Sequence, residues 1–107
     1  MKKILFILMA VFFLSSCDNV IDKTIDLFED AAEDIEDAKS IEEVNLIDSN
    51  LDYELEKLEY ESADEIEKLL EKAENGDEKV LKKLEKANAA EEYYRKVKRN
   101  KRNLLDR

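Results

Sequence analysis

The chain is expected to be all-α: a long antiparallel helical hairpin with an additional N-terminal helix, closed as a three-helix bundle or drawn out as an extended rod. Three observations predict this. The 107 residues contain no proline and one glycine, which disfavours sheets joined by tight turns. Glu, Lys, Leu and Ala, all strong helix formers, dominate the composition. Apolar residues recur at steps of three and four, the spacing that gathers them on one helix face.

The first helix is expected over about 19–39, where Ile21, Ile25, Phe28, Ala32 and Ile35 form one stripe. Ser40-Ile41-Glu42-Glu43 then has the Ser-x-x-Glu form of a capping box, so a second helix should start there. Val44, Ile47, Leu51, Leu55 and Leu58 continue the periodicity, and Ile66, Leu69 and Ala73 carry it to about residue 74. A second Ser-x-x-Glu, Ser62-Ala63-Asp64-Glu65, leaves open a kink or a restart near residue 62. Asn75-Gly76-Asp77 supplies a glycine to end one helix and an aspartate to cap the next. Val80, Leu84, Ala87, Ala90, Tyr94 and Val97 are the stripe of a third helix over about 77–103. Its outer face pairs Glu78 with Lys82, Glu91 with Arg95 and Glu92 with Lys96 at four-residue spacing, each worth a few tenths of a kcal/mol. The stripes lack the strict heptads of a long coiled coil.

Ahead of these elements stand Lys2, Lys3, an unbroken apolar run from Ile4 to Leu14, and Leu14-Ser15-Ser16-Cys17 with the one cysteine of the chain. The run falls short of the roughly 20 apolar residues that span a bilayer and suits a secretory signal. The tetrad resembles the lipobox of bacterial lipoprotein precursors. That resemblance covers the first 17 residues and implies a signal peptide over 1–16, cleavage before Cys17, and diacylglycerol on its thiol, usually with a further acyl chain on the new amine. Several chains give durable anchoring, because each buried methylene is worth about 0.8 kcal/mol. Residues 17–107 would then be a mature helical domain tethered to the bacterial cell envelope. Asp18 resembles the residue that retains enterobacterial lipoproteins in the inner membrane, and it equally suits a helix N-terminus; which membrane or leaflet is reached stays open. The lipidated cysteine followed by helix is similar in kind to the small murein lipoprotein. That family ends in a wall-linked lysine, whereas this chain ends in Arg107, so covalent wall attachment is not carried over.

Charge narrows the function classes. The chain carries 28 acidic and 18 basic residues, net −10. Removing Lys2 and Lys3 with the leader makes that −12, so nucleic acid is not an expected partner. No histidine is present and the cysteine is spoken for, which removes nitrogen and sulfur sites for zinc or copper. The carboxylate run from Glu29 to Asp37 lacks the glycine and alternating ligands of an EF-hand. Phosphate-cradling glycine loops and a serine nucleophile elbow are missing as well. The expectation is therefore a noncatalytic protein with no catalytic residues, no metal site and no cofactor beyond the lipid on Cys17.

Charge is also segregated. Asp18 to Glu43 holds eleven acids against Lys23 and Lys39, while Tyr93 to Arg107 holds seven bases against Asp106. The basic tail could lie on the acidic first helix, stay solvated, or meet a partner. In the last case Tyr93, Tyr94, Arg95, Lys96, Lys98 and Arg99 would contact anionic lipid, cell-wall polymer or an acidic envelope protein. Two functions remain: a tethered helical binding or structural module, or an acidic inhibitor or immunity lipoprotein that blocks a basic toxin or envelope hydrolase. Homo-oligomers are left open.

Overall fold

A computed structural model describes residues 16–106, with side chains from Val20 onward. Residues 1–15 of the expected leader (1–16), the side chain of Cys17 and the terminal Arg107 lie outside the described residues. Four helices follow one another: α1 Ser16–Asp37, α2 Ile41–Glu61, α3 Ala63–Glu74 and α4 Glu78–Leu105. The described residues contain no strand, and the fold is an all-α bundle.

The helix ends form through the residues that announced them. Ser40 caps α2 by accepting from the Glu43 N–H at 3.2 Å. The Glu43 carboxylate reaches back to the Lys39 N–H, one residue before the partner a standard capping box would use. Gly76, at φ +83°, ends α3. Its N–H donates to Ala73 O at 3.0 Å and the Asp77 N–H to Lys72 O at 3.0 Å, the paired bonds of a Schellman turn. Asp77 then caps α4 through the N–H groups of Lys79 and Val80.

Ser62 separates α2 from α3. It holds one backbone bond on each side, its N–H to Leu58 O and its carbonyl accepting from Ile66 N–H, both 2.9 Å. Its side chain caps nothing. The second Ser-x-x-Glu therefore marks an interruption in a helix that goes on in the same general course, rather than a new capped start.

The chain runs up, down and up. Lys83 of α4 meets Asp22 near the start of α1, and Lys101 meets Glu36 near its end, so α1 and α4 are parallel. α2 and α3 descend between them in sequence. The first helix packs against α2, α3 and α4 and forms the centre of the bundle, the closed form of the expected hairpin with an added N-terminal helix. Two core clusters lie along it. One gathers Phe28, Ala31, Ala32, Ile35 and Ala38 with Val44, Leu51, Ala90 and Tyr94. The other, at the start of α1, gathers Val20 and Ile21 with Leu69 and Val80. The small Ala31 and Ala32 permit close approach on a helix covered from several sides. All the expected stripe positions are buried or half-buried.

Candidate functional site

The six residues expected to meet a partner occupy under two turns of α4, and a rotation of about 100° per residue divides them between inside and outside. Tyr94 points inward and is 3% exposed, while its neighbour Tyr93 is 51% exposed. Tyr94 belongs to the core: its ring packs on Phe28 with centroids 5.9 Å apart. The surface role expected for Tyr94 is corrected accordingly, because an aromatic on the Ala90–Val97 stripe is buried by the same periodicity that defines the helix.

At the rim of that core Tyr94 meets the α2 residue Asp48. The phenol donates to Asp48 Oδ1 at 2.6 Å, and Lys98 Nζ donates to the same oxygen at 3.0 Å. Lys98 also stands 5.3 Å from the centre of the Tyr94 ring, within cation–π range. Burial pushes the Asp48 carboxyl up, but the hydrogen bonds from Tyr94 and Lys98 and the positive charges of Lys98 and Arg102 outweigh it and leave Asp48 below its ordinary value. The Tyr94 phenol moves upward, first through burial and then through its bond to the Asp48 carboxylate. Both groups thus move away from neutrality, whereas general acid–base catalysis uses groups that titrate near the working pH. The cluster is a clamp between α2 and α4.

Further along α4, Arg102 Nη2 donates to Asn45 Oδ1 at 2.7 Å, and Lys101 Nζ donates to the Glu36 carbonyl at 2.7 Å. The Lys101 contact satisfies one of the free carbonyls that end α1 and sets a cation at the negative end of its dipole. α1 has no basic residue in its own last turn. The basic tail thus rests mainly on polar groups of α2 and on a main-chain oxygen of α1. Among the described residues no tail lysine or arginine forms an ion pair with an α1 carboxylate.

Arg95 is exposed and paired with Glu91 at 2.6 Å. Glu78 with Lys82 and Glu92 with Lys96, expected to pair likewise, form no ion pair among the described residues. Lys96 and Arg99 are exposed. Arg99 edges a groove between α2 and α4 with Asp48, Asp52, Arg95 and Arg102. The Arg102 Nε on that edge is buried without a hydrogen-bond partner. Tyr93, Arg95, Lys96 and Arg99 are what the expected site leaves on the surface.

Asp48 and Asn45 were not marked by sequence reasoning. Asp48 had a signal: it lies four residues after Val44 and three before Leu51, an acid placed on the apolar stripe. Its partners, 46 and 50 residues away, had none. The acids between Glu29 and Asp37 alternate with buried Ala31, Ala32 and Ile35 and face outward. Among the described residues no three metal-ligating side chains come together, and no helix is long and apolar enough to cross a membrane. Comparison with protein-family models, with curated proteins and with solved structures finds no match.

Proposed function

We propose that this chain is a lipid-anchored bacterial envelope protein, acylated at Cys17, that works as a noncatalytic helical binding module. The observation that carries the reading is the placement of the bundle relative to Cys17. α1 begins at Ser16 and its core begins at Val20, so no spacer separates the anchor from the folded domain. α4 runs parallel to α1, which puts Arg95, Lys96 and Arg99 toward the end of the bundle away from Cys17. Along α1, position 36 is roughly 28 Å from position 17 at 1.5 Å per residue. That exceeds the screening length of about 8 Å at physiological salt. Head groups of the anchoring bilayer are therefore the wrong target for the basic end, and a cell-wall polymer or an acidic envelope protein is the right kind.

Growth with an alkyne-bearing fatty acid tests the anchor. The wild-type chain should take up label and sediment with membranes, and Cys17→Ser should do neither; equal labelling of both would refute the reading. The inhibitor reading has its own support in the −12 charge of residues 17–107 and the acidic outer face of α2. It requires that deleting the protein sensitises cells to a basic toxin or envelope hydrolase.

A further inference from the structure

The face of α2 turned away from the core carries Leu46, Tyr53 and Tyr60, seven residues apart and 62%, 62% and 87% exposed. A seven-residue step drifts only about 20° around a helix, so the three side chains form one line about 21 Å long. The line lies opposite the buried Val44 and Leu51. The outward face of a bundle helix is ordinarily polar, and isolated exposed apolar residues need no explanation. Three large ones in register over two heptads do.

We propose that this face is the docking surface for a basic helical segment of a partner protein, one that presents apolar residues at seven-residue spacing. Charge selects the occupant. Glu42, Glu56 and Glu61 border the line, all exposed, against the single Lys57. A second copy docking through the same face would bring these carboxylates together, an arrangement that works against association. A basic segment meets them favourably and is steered in by them. Tyrosine is enriched among the residues that carry binding energy at interfaces. Three anchors are fewer than a standard interface of about 800 Å² per partner supplies, so the contact is of the weak, salt-sensitive class. The inference rests on the binding-module reading above, but not on acylation of Cys17.

The test holds the full chain in neutral phosphatidylcholine nanodiscs and titrates it into two fluorescent helical peptides of 21 residues and equal positive charge. One has leucines at seven-residue spacing, the other serines in their place. The leucine peptide should bind at least tenfold more tightly, and a Leu46→Ser, Tyr53→Ser, Tyr60→Ser chain of unchanged helicity should erase the difference. Equal binding of the two peptides, or an undiminished preference in the triple variant, overturns the proposal. So does dimerisation of the free chain that the triple variant abolishes, because the face would then belong to a second copy. A Cys17→Ser chain should give the same peptide affinities, which separates failure here from failure of the anchor.

Discussion

Replacing Tyr94 with phenylalanine removes one oxygen and keeps the ring that packs on Phe28. The lost bond is short, 2.6 Å, and ends on a charged acceptor. Hydrogen bonds to charged groups contribute about 1.5–3 kcal/mol. The Asp48 side chain is 27% exposed and keeps Lys98, so solvent and the remaining partner soften the loss to about 1–2 kcal/mol. For a domain under 100 residues that lowers Tm by roughly 5–15 °C. The sign of the pH dependence follows from Asp48. Its folded value lies below 3.8, so its stabilisation is complete above 3.8 and fades as pH falls through the lower folded-state value. The gap between wild type and Tyr94→Phe, read by urea unfolding with circular dichroism, should be full at pH 7 and narrow toward pH 2. Asp48→Asn should show strong coupling to Tyr94→Phe in a double-mutant cycle at pH 7. A gap that stays constant from pH 7 to 2, or additive single effects, would refute the clamp.

Alkaline titration offers an independent reading: the Tyr94 phenol lies above 10.0 in the fold, so its share of stability is full below pH 10 and fades as pH rises from there through the raised folded-state value, and the Tyr94→Phe gap should narrow there too. Ultraviolet difference titration against that variant should place Tyr94 ionisation above 10. Burial, then Asp30 and Asp22, raise the Asp26 carboxyl above 3.8. Ionised Asp26 therefore works against folding at neutral pH, and Asp26→Asn should stabilise by a few tenths of a kcal/mol at pH 7, with the gain shrinking in urea titrations as pH falls through the raised folded-state value and vanishing below 3.8. Gly76→Ala has open space for its methyl group, so only the left-handed backbone at φ +83° opposes it; a loss of about 1–2 kcal/mol is expected from chemical denaturation. Ile35 is fully buried in the last turn of α1, and Ile35→Ala should cost about 2–5 kcal/mol, seen as a large Tm drop or outright unfolding.

By itself the sequence determined the helical class, most helix ends and which positions are buried. These are local properties. A Ser40 or Asp77 cap acts within three residues, Gly76 within one turn, and the three-and-four periodicity declares an apolar face within about ten residues. Ser62 was ambiguous because its local signal was a capping box, while the neighbouring backbone bonds kept the helix on course. Only the tertiary structure decided that α1 is the centre and that its C-terminal carbonyl is served by Lys101, 65 residues away. It likewise moved Tyr94 from the expected basic surface into a clamp with Asp48. The candidate site was legible as a cluster of charge but not as a division of labour. Which of several similar apolar stripes is enclosed by the others depends on all the helices competing to bury area at once. No single stretch of sequence holds that comparison, and the polar pairs at the rim follow from its outcome.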